Sequence, residues 1–445
     1  MKQLKITFIG SYSNGWVWSL IGDLALDASL CGEVVFYDDE SEFARNNAQA
    51  GNHIGSGGFR YRFSESLADA LTDADAVLIS LSPGNPKAMR AEIEVPKKYG
   101  IYQSNGMGTG VGGFFRGLRT VPVMVELMEA VASFAPEAAV INLTDPVGLC
   151  VRAMYDVLPG IKGVGFCHES ALACQVLADA LGEQRDLWIE RNQIQFQTMG
   201  INHFSFFQSA FYEDTDLFPV FEEYCARHRD GMVIEEGAEP YRESQKVRMD
   251  LFQRLGLYPA AGDRLLAEFC PPGWYLKDEA TIRSWGFSLT SAADREREDA
   301  NRRRYAEEIG AGKGKLTVIS SGTDLVPLIK ALTGCSSGFY SLSLPNRGQI
   351  SNLEEGAIVE TGVLCSKNGI QPVLSGEMPL RLKRLTQPHL LMQQLTMEAA
   401  VMMEREYALE AFFYEPSLAG LSRQQIQDLF DEIYEYNIQF MPGWE

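Results

Sequence analysis

LKITFIGSYSNG, residues 4–15, is an apolar run that stops at a glycine and gives way to a polar turn. Residues 4–10 predict a buried parallel strand feeding that turn. Residues 14–30 follow with helix-compatible spacing. EVVFYD at 33–38 predicts a second strand ending in an acid, and ADAVLISL at 74–81 a third, stopped by Ser82-Pro83-Gly84. EAAVINL at 137–143 predicts a fourth, stopped by Asp145-Pro146, and 163–166 a short fifth. Strands alternating with helices in this way predict a doubly wound parallel sheet of the Rossmann type, with its binding crevice at the carboxyl ends of the strands.

After residue 190 the rhythm changes. Residues 193–200 predict a strand ending at Ile201-Asn202-His203, and 219–228 and 243–255 predict helices. A glycine-rich, strand-like segment occupies 335–365, and helical patterns fill the remainder. The expected fold is therefore α/β: a Rossmann-type, dehydrogenase-like domain over residues 1–195, and a mixed α/β substrate and catalytic domain over 196–445. A chain of 445 residues fits two such units.

Composition narrows the function. The net charge of −20 argues against nucleic acid and anionic membranes as partners, because both require clustered Lys and Arg. The eight cysteines have no pairing rhythm, so reduced thiols and a cytoplasmic location are expected. No leader-like segment or membrane-spanning run is read from the sequence.

Three constellations could carry chemistry. The first is Gly10-Ser11-Tyr12-Ser13 with Asp38. A strand–helix turn aims backbone N–H groups at a pyrophosphate, and an acid at the next strand end takes ribose hydroxyls. Tyr12 stands where a second glycine is usual. Asp38 favours NAD over NADP, since a carboxylate repels a 2′-phosphate; Ser82 and Pro83, at the end of the third strand, would border the same cofactor. The second is Cys167-His168-Glu169 with Asn202-His203, both after predicted strands. A thiolate and an imidazole suit a divalent metal, although taken alone a core thiol and a satisfied histidine are the weightier reading. The third is Gly262-Asp263-Arg264, where Asp263 in a small-residue turn is either a general base facing a cleft or one half of a structural Asp–Arg pair.

With these residues in view, the chain resembles glycoside hydrolase family 4, the NAD- and manganese-dependent glycosidases. KITFIG at 5–10, GGFFRGLR at 112–119, VGFCHE at 164–169, GINHF at 200–204, AAGDRLLAEF at 260–269, PNRGQISNL at 345–353 and the acid of IVET at 358–361 stand in family order. The α-galacturonidase-like members are the most similar. The resemblance implies NAD and Mn²⁺, or another divalent metal, as cofactors, and a glycoside or oligosaccharide as substrate. It further implies an assembly of two or four copies, and cleavage by oxidation at carbon 3, elimination, addition of water and reduction. It implies Cys167 and His203 as metal ligands, His168 as the acid at the leaving oxygen, Asp263 as the base, and Asp145, Asn202 and Arg264 as residues at the sugar. Asp145, Met107-Gly108 and Leu265 depart from the family pattern, and the first and last of these bear on the choice of sugar. The alternatives are an α-glucosidase or α-glucuronidase of the same family, an NAD-dependent sugar oxidoreductase, and an inactive sugar or NAD sensor.

Overall fold

The computed structural model describes residues 2–10, 14–54, 58–232, 241–313, 318 and 320–444. Its first six strands are β1 (Lys2–Ile9), β2 (Leu30–Tyr37), β3 (Phe59–Phe63), β4 (Ala76–Ile79), β5 (Ala139–Asn142) and β6 (Lys162–Gly165). They lie parallel in the order β6-β5-β4-β1-β2-β3. Every residue of β4 and β5 is buried, as strands covered on both faces require. β3 (FRYRF) was not read from the sequence. It is an edge strand whose arginines answer to solvent and to acids, Arg62 pairing with Glu33 of β2 at 2.9 Å, so it lacks an apolar signature.

β7 (Ile194–Ile201), β8 (Phe204–Tyr212), β9 (Thr215–Asp216) and β10 (Tyr258–Pro259) form a separate antiparallel sheet. β11 (Gly338–Pro345), β12 (Ile358–Ser366) and β13 (Gly369–Pro372) return to the first sheet and extend it to nine strands, β11 running antiparallel beside β6 with Ser343 opposite Gly165. Residues from beyond the boundary read near 195 thus complete the sheet begun before it. Two apolar clusters cover the two faces of that sheet, and two more pack around the smaller one. Among the described residues, no helix is long and apolar enough to cross a membrane.

The helix Gly110–Phe134 runs through the interior and carries two buried arginines, Arg116 and Arg119. Arg119 pairs with Glu92 of the helix Asn85–Lys97, both side chains fully buried. Its Nε donates to the Pro83 carbonyl at 2.8 Å, and Asn437 Nδ2 donates to Glu92 Oε1 at 3.1 Å. Burial pushes the Glu92 carboxyl up and Arg119 opposes that shift. Arg119→Leu should therefore destabilise the fold by about 3–5 kcal/mol, because a buried carboxylate loses its counter-ion. Replacing Glu92 by Leu in the same chain should recover most of that loss. Denaturant unfolding of the two variants checks both expectations.

Candidate active site

The crevice opens at the carboxyl ends of β1, β2, β4 and β6. β1 carries β2 on one side and β4 on the other, so strand order reverses there and the ends part to leave a cleft. Gly10 sits at that point with φ +79°, and a Cβ on it would lie 2.3 Å from the Ser80 carbonyl oxygen. Only glycine lets the two strand ends approach this closely. Asp38 follows Tyr37, the residue in register with Ile9, so it borders the same edge. It is half-buried, and its Oδ1 accepts the Glu40 N–H at 2.9 Å. Ser82 and Pro83 follow β4. Arg116 Nη2 donates to Ser82 Oγ at 3.4 Å, and Arg119 fixes Pro83. Gly10, Asp38, Ser82 and Pro83 thus share one edge of the sheet. Ser11, Tyr12 and Ser13 lie outside the described residues.

Cys167 and His203, 36 residues apart in sequence, meet with Sγ 3.5 Å from Nε2. Cys167 leaves the end of β6. His203 occupies the tight turn between β7 and β8 with φ +63°, a left-handed conformation few non-glycine residues adopt. Its ring rests against Gly108, where an added Cβ would lie 3.1 Å from Nδ1. The neighbouring Asn202 is oriented by Glu360 of β12: Asn202 Nδ2 donates to Oε2 at 3.1 Å, while Ser205, Ser341 and Ser170 hydroxyls donate to Oε1 at 2.8, 3.1 and 3.4 Å. The sequence reading noted Glu360 only as part of a motif. Its signal was there, since an acid inside the apolar run of IVETGVL must be matched by donors.

Burial first, then the charges of Glu169, Glu360 and Asp145, hold the Cys167 thiol well above its usual range. Asp145, half-buried, has an Oδ1 with no hydrogen-bond partner, and its carbonyl accepts Arg116 Nε at 2.9 Å. Three carboxylates around a thiol and an imidazole favour a cation. Among the described residues no three His, Cys, Asp or Glu side chains converge tightly enough to hold a metal by themselves. Cys167 and His203 supply two donors of the right softness and leave the other positions open. His168 stands beside them with its side chain 43% exposed, edge-on to Trp16 at 5.5 Å between ring centroids, and with Nε2 3.8 Å from Glu169 Oε1.

Two expected residues are buried and already engaged with protein partners. Asp263 is fully buried, not in an open turn. It starts the helix Asp263–Glu268, and its carboxylate accepts the N–H groups of Arg248 (3.0 Å) and Ser244 (3.3 Å), satisfying the start of the helix Lys246–Leu255. Arg264 is buried too: Nε donates to the Ser288 carbonyl at 3.1 Å, and Nη2 to the Ser104 carbonyl at 2.7 Å and to Thr290 Oγ1. The carboxyls that do gather beside this loop are Glu169 and Glu243. Gly262 N–H donates to Glu169 Oε2 at 2.9 Å, and Arg264 N–H to Glu243 Oε1 at 3.1 Å. A Cβ on Gly262 would lie 2.3 Å from Glu243 Oε2, so the glycine is what admits this carboxyl. Burial, reinforced by Asp263 and Glu169, pushes Glu243 up to about 7. Sequence spacing gave no hint of it.

Comparison with known proteins adds the following. The family model described as family 4 glycosyl hydrolase matches residues 5–183, and the model of its C-terminal domain matches residues 198–418. An α-galacturonidase of Thermoanaerobacter italicus is 36% identical over 100% of this chain and 98% of its own. A crystal structure of a Bacillus subtilis protein described as a glucosidase superposes with a TM-score of 0.91 at 36% identity, covering 97% of this chain and 100% of that one. A 6-phospho-α-glucosidase from gut microorganisms, solved with NAD and Mn²⁺, shares the fold with a TM-score of 0.81 at 18% identity over the full length of both chains.

The Glu243 carboxyl has a pH consequence. Its folded value of about 7 lies above the ordinary 4.5, so the folded state prefers it protonated. The stability it contributes is full below pH 4.5 and is lost as pH rises towards 7. Glu243→Gln should therefore gain stability relative to the parent as pH climbs through that window, with little difference at its acid end. Urea midpoints measured from pH 4.5 to 7.5 test this; a constant offset between the two proteins rejects it.

Proposed function

The chain belongs to glycosyl hydrolase family 4, and on that premise we propose that it hydrolyses an α-linked uronide, an α-galacturonide in the first place, with NAD and a divalent metal such as Mn²⁺ as cofactors. The observation that carries the reading is the meeting of Cys167 with His203 beside three carboxylates, at the strand ends where the sheet order also leaves a dinucleotide crevice. The full-length similarity to an α-galacturonidase supports the substrate, and the NAD- and Mn²⁺-bound relative supports the cofactors. Family membership favours bond cleavage over a plain sugar oxidoreductase.

Gly10, Asp38, Ser82 and Pro83 would hold the dinucleotide, and Cys167 and His203 the metal. When bound, NAD supplies reversible hydride exchange with a sugar carbon, and the metal a Lewis acid at neighbouring oxygens. The remaining work falls to side chains. His168, exposed to the crevice and backed by Glu169, is the proton donor we assign to the leaving glycosidic oxygen. Asn202, aligned by Glu360, orients a sugar hydroxyl. The proton on carbon 2 goes to a carboxyl. Asp263, the expected base, has both carboxylate oxygens on backbone N–H groups, and we assign the role to Glu243, which accepts a single backbone N–H from Arg264 and whose value of about 7 suits a group that takes and returns a proton near neutral pH. This keeps the order of oxidation, elimination, addition and reduction at the sugar.

Cleavage of 4-nitrophenyl α-D-galacturonide should require NAD and Mn²⁺ together, and product made in deuterated water should carry deuterium at carbon 2. Loss of activity on omitting either cofactor, with mass-spectrometric detection of the label, checks the scheme. Unlabelled product would reject the elimination route. Cys167→Ser and His203→Ala should each lower bound manganese after dialysis, read by elemental analysis, and turnover should fall with it. Because the Cys167 thiol must lose its proton to bind, metal affinity in the parent enzyme should rise with pH.

A further inference from the structure

The helix Ala292–Gly310 carries a row of arginines. Arg297, Arg302 and Arg303 each lie on a carboxylate, of Asp294, Glu298, and Glu40 with Asp299 respectively. Arg295 turns inward and differs. Among the described residues no carboxylate oxygen lies within 4 Å of it. Its Nη1 donates to the Met107 thioether at 3.3 Å, its Nη2 to the carbonyl and side-chain oxygens of Asn105, and its Nε to nothing. A thioether is a weak acceptor. Burial, with Arg116 and Arg264 close by, pulls the guanidinium down to about 10. The nearby acid, Glu268, acts on Arg295 through its charge without pairing with it, its Oε1 accepting the N–H groups of Asn105 and Gly106. In a protein with 59 acids and 39 bases, a half-buried cation held by a thioether and the neutral oxygens of Asn105 lacks a carboxylate at ion-pairing distance.

Its position ties it to the site. Met107, which it touches, precedes Gly108, the residue under the His203 ring. Arg116, its like-charged neighbour, holds the Asp145 carbonyl on the other side. Arg295 and Arg116 thus bring guanidinium groups next to the carboxylates Asp145, Glu169 and Glu360 that surround Cys167. A guanidinium with no carboxylate on it suits an anionic sugar, because it is the side chain best shaped to take a carboxylate through two parallel hydrogen bonds. We infer that Arg295 receives the substrate's carbon-6 carboxylate and sets the preference for a uronide over the neutral glycoside, an inference that rests on the uronide reading above.

The test compares kcat/KM for 4-nitrophenyl α-D-galacturonide and 4-nitrophenyl α-D-galactoside, which differ only at carbon 6, in enzyme loaded with NAD and Mn²⁺. Arg295→Met should lower the ratio of the two by about 10- to 100-fold, the range of a lost charge-assisted contact. Met107→Glu, which leaves the arginine in place and offers it an internal carboxylate, should lower the ratio in the same direction and guards against misfolding of the first variant. Equal losses on both substrates, or an unchanged ratio in both variants, would overturn the inference. Calorimetric titration with free galacturonate and free galactose separates this from failure of the uronide reading. If the parent cleaves neither glycoside, that reading fails. Tighter binding of galacturonate that disappears in Arg295→Met still upholds the role of Arg295, and equal binding of the two sugars overturns it.

Discussion

The addition of β11 and β12 to the parallel sheet beside β6 is the constraint on which the site depends. A Rossmann-type sheet ending at β6 would leave Cys167 at an open edge. With β11 paired there and β12 beyond it, Glu360 lies within hydrogen-bond reach of Ser170 of the helix Glu169–Arg185, Ser341 of β11, Ser205 of β8 and Asn202 of the β7–β8 turn. A buried carboxylate is costly unless donors surround it, so these elements hold one another in a single arrangement. His203, next to Asn202 and held in a left-handed turn, inherits that arrangement, which is how it comes to face a thiol 36 residues away.

Around this frame the electrostatics are deliberately unbalanced. Cys167 sits among carboxylates, a setting that keeps a bare thiol protonated and makes a cation welcome. Asp145 adds an oxygen without a partner. Glycines decide the clearances: Gly10 at Ser80, Gly108 beneath His203 and Gly262 beside Glu243 each stand where a methyl group would collide or crowd. The site is thus a matter of missing side chains as much as of present ones.

Much of this was legible in the sequence. Apolar runs bounded by Gly, Pro and acids marked five of the six parallel strands, because strands covered on both faces must be apolar throughout. The Cys-His-Glu and Asn-His pairs stood out because each follows a predicted strand, β6 of the parallel sheet and β7 of the antiparallel one. What stayed hidden depended on partners far away in the chain. β3 conceals itself behind two arginines. Asp263 reads like a residue in an open turn, but the helix Lys246–Leu255 comes back over it and takes its oxygens. Arg264 is matched by carbonyls at 104 and 288, and Glu243 is raised by burial and then by acids from other segments. Spacing along a sequence carries no record of such encounters.

The contact chain Pro83–Arg119–Glu92–Asn437 has a consequence for biosynthesis. Glu92 and Asn437 are separated by 345 residues, yet the arginine that fixes the Pro83 carbonyl is itself held by that glutamate. On the ribosome, the loop after β4 waits through most of translation for its last brace. The helix Arg423–Asn437 emerges last of these elements, and Glu92 receives its Asn437 donor only then. Fragments interrupted before that point would leave the buried Glu92 carboxylate without this donor, with Arg119 as its remaining brace.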